Sequence, residues 1–271
     1  MKISVVIPTY NRAEFLQRAI ESVLKQTFQA CEIIVIDDGS TDNTPKILQK
    51  FPNVKYMYQK NSGVSSARNL GIVNTSYEWV AFLDSDDEWI NTKLEEQVLF
   101  HTDNATVLMS YTDEIWVRNA QNIKIPKKFK KLGNDVFIEN LSFCNIAPSS
   151  ALIHKSIFES VGLFDTTLEV CEDYDLWLRI MIENKIELVD KKLIKKYAGH
   201  EDQLSFKYWG MDRFRVLSLE KLLKDENKVS EEKAQMIKEE LLKKYTLLLK
   251  GAIKHDREED IEIYEGKIAK F

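Results

Sequence analysis

Three carboxylates fall within four positions where an apolar run ends, in Val80-Ala81-Phe82-Leu83-Asp84-Ser85-Asp86-Asp87. Carboxylates this close repel one another and raise each other's pKa. A divalent cation relieves the repulsion, because hard Mg²⁺ or Mn²⁺ takes oxygen ligands. In an open α/β sheet, ligands gather beyond the carboxyl ends of the strands. The run therefore reads as a site for a metal ion and a diphosphate. The competing reading is a solvated acidic turn, since Asp and Ser favour turns.

The arrangement recurs in Val35-Ile36-Asp37-Asp38-Gly39-Ser40-Thr41-Asp42. A carboxylate here can accept hydrogen bonds from a nucleobase imide or a ribose hydroxyl, and Gly39 allows close backbone approach to a ligand. Ser40 or Asp42 can equally cap the next helix, with Thr41 as another candidate; capping leaves Asp37 and Asp38 unexplained. A third turn, Ile7-Pro8-Thr9-Tyr10-Asn11-Arg12, offers Tyr10 to flank a base, or simply enters a helix capped by Asn11. The fourth segment, Asn61-Ser62-Gly63-Val64-Ser65-Ser66-Ala67-Arg68-Asn69-Leu70-Gly71, is a Gly/Ser loop opening a helix. Such loops suit anions. Arg68 can grip a phosphate or orient an acidic side chain, or it is an ordinary surface arginine. Neither GxGxxG nor GxxxxGK is present.

The elements that must carry these turns alternate. Residues 3–8, 32–36, 54–58 and 79–83 read as strands, with helices over 13–26, 44–50 and 65–73 between them. That order predicts a mostly parallel sheet with helices on both faces. The wholly apolar Ile33-Ile34-Val35-Ile36 fits burial on both faces. A helix is expected over 93–101, strands over 106–117 and 149–154, and a helix over 174–183, with a basic connection at 124–133. From residue 211, leucines recur among Lys and Glu as two or three amphipathic helices.

The 271 residues can bury one sizeable core. A net charge of −5 with 30% charged residues gives no sign of nucleic-acid binding. Cys31, Cys144 and Cys171 are widely spaced and suggest neither zinc nor a disulfide framework. The N-terminal apolar run is too short for a signal peptide. No stretch approaches the ~18 apolar residues of a membrane span. The expected location is the cytoplasm, with room for peripheral contact at the inner face of the membrane.

Taken together, Pro8-Thr9-Tyr10-Asn11, Asp37-Asp38-Gly39-Ser40, Gly63-Ala67-Arg68-Asn69 and Asp84-Ser85-Asp86-Asp87 resemble a family 2 glycosyltransferase with the GT-A fold. Glu172-Asp173-Tyr174-Asp175-Leu176-Trp177-Leu178-Arg179 matches the family's acidic ED motif before an LW-R helix, so the resemblance covers roughly residues 1–205. It implies an α/β, Rossmann-like GT-A domain over 1–210, with a nucleotide-sugar half (1–105) and an acceptor half (106–210). A C-terminal helical extension over 211–271 would follow.

The implied activity is inverting transfer from a nucleotide-sugar, UDP-linked, to a saccharide or lipid-linked saccharide hydroxyl, in surface polysaccharide or glycoconjugate synthesis. The implied donor site comprises Pro8, Thr9, Tyr10, Arg12, Asp37, Asp38, Gly39, Asn61, Gly63, Arg68, Asp84 and Ser85. Asp38 would contact the base, and Asp84 the ribose or the metal's water shell. Asp86, with Asp87 nearby, would bind Mn²⁺ or Mg²⁺. His200 in a late loop would approach the metal or diphosphate. Asp173 would be the catalytic base and Glu172 the fallback, although acids at a helix start are also favoured by its dipole. Trp177 is expected to pack and Arg179 to pair with the acidic site.

Acceptor recognition falls to the second half, where Ala147-Pro148-Ser149-Ser150 is a candidate lining. Lys127-Lys128-Phe129-Lys130-Lys131 would meet anionic lipid or be a plain solvated loop. The C-terminal helices would pack on the domain, pair in a homodimer or lie on a membrane. Two other classes compete: a haloacid-dehalogenase-type sugar-phosphate phosphatase, whose nucleophile would be the first Asp of the Asp-x-Asp element, and a non-catalytic nucleotide-binding module.

Overall fold

The computed structural model describes residues 1–131, 133, 135–197, 208–224 and 228–271. The first half follows the alternation: β1 (Ile3–Thr9), α1 (Ala13–Leu24), β2 (Glu32–Asp37), α2 (Thr44–Leu48), β3 (Lys55–Tyr58), α3 (Val64–Val73) and β4 (Trp79–Phe82). The second half runs β5 (Glu88–Trp89), α4 (Lys93–Asp103), β6 (Met109–Arg118), β7 (Gln121–Ile123), α5 (Val136–Ser142), β8 (Leu152–His154), α6 (Lys155–Val161), α7 (Glu172–Glu183) and β9 (Ile186–Tyr197). Short 3-10 turns lie at Lys127–Phe129 and Pro148–Ser150. Three helices close the chain: α8 (Asp212–Lys224), α9 (Glu231–Lys254) and α10 (Glu258–Ile268).

One sheet joins the strands in the order β3-β2-β1-β4-β8-β6-β9-β5, with β7 hairpinned onto β6. The pairs among β3, β2, β1 and β4 are all parallel, as their helical crossovers require. Beyond β4 the sheet is mixed. β8 is antiparallel to both β4 and β6, β6 pairs β9 in parallel, and β5 is antiparallel to β9.

The central strands alternate between two cores. Ile3, Val5, Ile7, Ile33 and Val35 face the layer covered by Leu16, Ala19, Ile20 and Val23 of α1. Val6, Ile34 and Ile36 face the layer that holds Ala67 and Ile72 of α3 and Trp177 of α7. A Cβ at Gly71 would stand 2.3 Å from Val6 Cγ1, so α3 lies on β1 as closely as a bare backbone allows.

Five elements escaped the sequence reading: β5, β7, β9, α5 and α6. β5 is two polar-flanked residues, too short to signal itself. β9 carries Asp190-Lys191-Lys192 at its middle, and there the register slips, from Thr112↔Val189 to Asp113↔Lys192. The bulge breaks the two-residue period that identifies a strand.

The C-terminal helices pack on the domain. Val216, Leu219, Ile237, Leu241, Tyr245 and Leu248 join the same apolar cluster as Trp177 and Phe82. Burying each such side chain contributes roughly 1.5–3 kcal/mol, which ties α8 and α9 to the face of the sheet on which α7 lies. No helix among the described residues is long and apolar enough to cross a membrane.

Candidate active site

The acid-tipped strand ends converge as the parallel half dictates, but several of their side chains first hold the loops in place. Asp37 Oδ1 accepts from Ser40 N at 2.8 Å and Oδ2 from Tyr56 Oη at 3.0 Å. Asp38 accepts from Gln59 Nε2 at 2.6 Å, Ser62 N at 2.8 Å and Gly63 N at 2.9 Å. The two carboxylates thus lock the β2 loop and pin the β3 loop to it. Gly39, at φ 84°, serves the same junction: a Cβ there would come 2.7 Å from Asn61 N, so its close approach is to chain rather than to open space. Asp42 caps twice, accepting from Thr44 N of α2 and Ala13 N of α1. Asn11 accepts from Thr41 N at 2.8 Å. Tyr10 stands beside this junction and is 47% exposed. Thr9 Oγ1 is buried and has no protein partner.

After β4, Asp84 and Asp87 form a tight turn, Asp87 N donating to the Asp84 carbonyl at 2.9 Å. Ser149 cements it: Ser149 Oγ donates to Asp87 Oδ2 at 2.6 Å and accepts from Asp84 N at 3.0 Å. Burial, then the neighbouring Asp86 charge, pushes the Asp87 carboxyl well above the usual range. Asp86 is met by Arg12 Nη1 at 3.2 Å, and its carbonyl accepts from Arg18 Nη2 at 2.7 Å. Ser85 is buried within the turn.

Arg68 is the hub. It is 3% exposed, and its fork spans two motifs: Nη2 donates to Asp84 Oδ1 at 2.7 Å and Nη1 to Glu172 Oε1 at 2.6 Å. Of the three readings open to it in the sequence, this geometry is that of a side chain orienting carboxylates. Phe164 lies under the guanidinium at 5.2 Å, and Nε has no protein partner.

The ED helix, α7, begins abruptly. Cys171 precedes it in the left-handed region at φ 62°, a costly conformation for a residue with a Cβ. Glu172 is 7% exposed and turned to Arg68; burial, then Asp173, raises its pKa despite that partner. Asp173 is half-buried, and its Oδ1 accepts from Tyr174 N at 2.7 Å. Trp177 packs as expected, donating to the Ile146 carbonyl at 2.9 Å. Arg179 does not reach the acidic site. It pairs with Asp175 at 2.8 Å and donates to the carbonyls of Val161 and Leu163, because one helical turn separates it from Asp175.

A cavity of about 350 Å³ opens where these pieces meet, lined among others by Arg68, Asp84, Glu172 and Asp173. Three of its other lining residues, Lys196, Glu114 and Trp116, were not read from the sequence. Lys196 reaches it from β9, near Glu114, Asp87, Asp84 and Asp173; burial would lower its pKa, but those carboxylates raise it. The Lys196 ammonium has no hydrogen-bond or ion-pair partner among the described residues. Glu114 and Trp116 enter from β6, one strand over, with Phe129 beside them. Burial works against the Glu114 charge, yet Lys196 and Lys131 hold its carboxyl down at about 2. Lys131 is accordingly 6% exposed and bonded to Glu114 at 2.8 Å, so this member of the basic run is no surface cation. Pro148 and Ala147 line the cavity as well. A single signal for β9 was available: apolar residues at 186, 188 and 189, then 193 and 194.

Among the described residues, no three His, Cys, Asp or Glu side chains converge as a metal cluster. His200, the third expected ligand, lies outside the described residues.

The mixed sheet with flanking helices is shared with S. aureus TarS. In its complex with UDP, TarS 1–349 superposes at TM-score 0.63 and 24% identity, covering 81% of this chain and 65% of that one. Full TarS gives TM-score 0.70 over 90% of this chain and 43% of TarS. The fold is GT-A-like, the architecture of glycosyltransferases. The glycosyl transferase family 2 model matches residues 4–162, and the chain belongs to that family. An uncharacterised glycosyltransferase of Rickettsia conorii is 36% identical over 197 residues, 72% of this chain; the match spans only 32% of that relative's length. The Escherichia coli UDP-Glc:alpha-D-GlcNAc-diphosphoundecaprenol beta-1,3-glucosyltransferases WfaP and WfgD are 32% and 31% identical, over 66% and 75% of this chain and 70% and 79% of their own.

Proposed function

We propose that the chain transfers a sugar, with inversion, from a UDP-sugar to a hydroxyl of a saccharide carried on a lipid diphosphate. The observation that carries the reading is the Arg68 fork, which draws the Asp84 turn and the Glu172-Asp173 helix start to one cavity. An inverting displacement needs those two functions side by side. The E. coli relatives named for UDP-Glc and a diphosphoundecaprenol-linked GlcNAc support the donor and acceptor classes.

In this reading, Tyr10 flanks the base, and the loops locked by Asp37 and Asp38 form the wall around it, with Pro8, Thr9, Asn61 and Gly63 contributing. Asp84 meets the ribose. Asp173 takes the proton from the acceptor hydroxyl as its oxygen attacks the anomeric carbon; the bond to the UDP β-phosphate oxygen breaks, and UDP leaves with the electron pair. Glu172, committed to Arg68, positions rather than accepts. Lys196 adds a cation facing the same cavity, suited to the departing diphosphate.

The donor set suits a hard cation: Asp86 and Asp87 offer oxygens, and such ions commonly take one or two carboxylates plus substrate phosphate. Bound Mn²⁺ or Mg²⁺ would act as a Lewis acid on the leaving group. The phosphatase alternative lacks support, because the Asp84 carboxylate it needs as a nucleophile is already bonded to Arg68.

The test is UDP release from a panel of UDP-sugars, with and without Mn²⁺. Release with one or two of them supports the reading. Binding of UDP without release or transfer from any donor would leave only a nucleotide-binding module.

A further inference from the structure

The cavity that brings Asp84 and Asp173 together has one wall of a different kind. Trp116 and Phe129 line it with ring centroids 5.6 Å apart and planes tilted by 41°, and Phe143 backs Phe129 at 6.1 Å. Among the described residues, neither Trp116 nor Phe129 is counted in either apolar core. Both are only half-buried. Fold stability alone gives little reason to place two aromatic rings in an acid-lined pocket.

The hydrogen bonds around Trp116 give one. Trp116 Nε1 donates to Glu114 Oε1 at 2.6 Å, and Glu114 Oε2 is fixed by Lys131 Nζ at 2.8 Å. The indole's one polar group is therefore spent on the protein. What the indole can still offer the cavity it lines is its ring carbons and their electron-rich face. Trp116 also stands opposite Lys196 in the β6–β9 register, and both line the cavity with Asp173. A plate, a general-base candidate and a cation thus share one chamber.

The partner chemistry that fits an anchored indole face is a pyranose. The axial C–H bonds on one face of such a ring are apolar and weakly positive, complementary to the negative π-face. The hydroxyls around its rim stay free for polar partners. An open-chain polyol phosphate or a peptide hydroxyl offers no such flat apolar face.

We infer that Trp116, backed by Phe129, is the platform on which the acceptor's sugar ring lies, turning one ring hydroxyl toward Asp173. This rests on the glycosyl-transfer reading above and assigns the residue on which its saccharide acceptor is seated. Glu114 and Lys131 are positioning residues for the plate.

The experiment uses the whole chain and a named probe, GlcNAc α-diphosphate esterified with a short alkyl chain. Saturation-transfer NMR should show the strongest enhancement on the axial protons of one ring face. Trp116→Ala should remove that enhancement and raise the probe's KM roughly 10- to 100-fold, at ~1.4 kcal/mol per tenfold. Trp116→Phe should recover most of both. UDP affinity should stay at the wild-type level in both variants, and thermal melts certify their fold. Unchanged enhancement and KM in Trp116→Ala would overturn the inference. So would wild-type chain that binds a glycerol-phosphate oligomer but not the sugar probe. If the sugar probe binds through Trp116 while UDP does not bind at all, it is the donor reading that fails.

Discussion

Arg68 Nη1 stands 2.6 Å from Glu172 Oε1, across 104 residues of chain. The other arm of the same guanidinium holds Asp84 at 2.7 Å. A planar fork holds two carboxylates in fixed directions, which the rotatable ammonium of a lysine does not. Removing it would leave Glu172, 7% exposed, as an uncompensated buried acid. Arg68→Ala should therefore cost about 3–5 kcal/mol of stability and abolish transfer; denaturant unfolding and an activity assay read the two. Arg68→Lys should keep part of the stability and little of the activity.

Asp173 and Glu172 should separate cleanly. Asp173→Asn should lower kcat by about 10²–10⁴-fold, the range for losing a general base, with UDP affinity unchanged. Glu172→Gln should instead lower the unfolding midpoint and activity together, because its acid partners Arg68. Normal transfer by the Asn variant would remove Asp173 from the mechanism.

Asp86 tests the metal. Calorimetric titration with UDP should show Mn²⁺-enhanced binding in the wild type and none of that enhancement in Asp86→Ala. Chelation by EDTA should reduce the wild type to the level of the variant.

Gly39→Ala tests the loop junction. The new Cβ would meet Asn61 N at 2.7 Å at a φ of 84°. A cost of about 1–3 kcal/mol is expected from the strained backbone, with weaker UDP binding as the β2 and β3 loops part. Thermal melts and the same titration report both effects.

His101 gives the protein a pH-dependent stability far from the cavity. It is buried between the Val107 carbonyl at Nδ1 (3.0 Å) and Ser110 Oγ at Nε2 (2.9 Å). Burial depresses its pKa from 6.5 to about 4, even though the Val107 carbonyl favours the proton. As pH falls below 6.5 the unfolded chain takes up a proton that the folded chain refuses until about 4. Stability contributed by the neutral ring is thus full above 6.5 and is lost toward 4, by about 3 kcal/mol at 1.36 kcal/mol per pKa unit. His101→Gln should be less stable at pH 7 but flatter across that window in urea titrations.

Residue order alone was enough to read the parallel half of the sheet and the acidic motifs at its strand ends. Those signals are local: an apolar run such as Ile33–Ile36 or Val80–Leu83 ends in carboxylates within two or three residues, and nothing distant is needed to read it. It also marked Asp173 and Arg68. It could not tell which anions Arg68 serves, since Asp84 and Glu172 approach it only after α3 packs on β1 and α7 covers that face. Ser149 reaches Asp84 and Asp87 because the chain returns antiparallel as β8, beside β4. Lys196 and Trp116 meet because β9 pairs with β6 beyond a bulge that erases the strand period. Local carboxylate spacing announces chemistry, while the far wall of the cavity is assembled by non-local strand pairing, whose partners no residue-to-residue periodicity encodes.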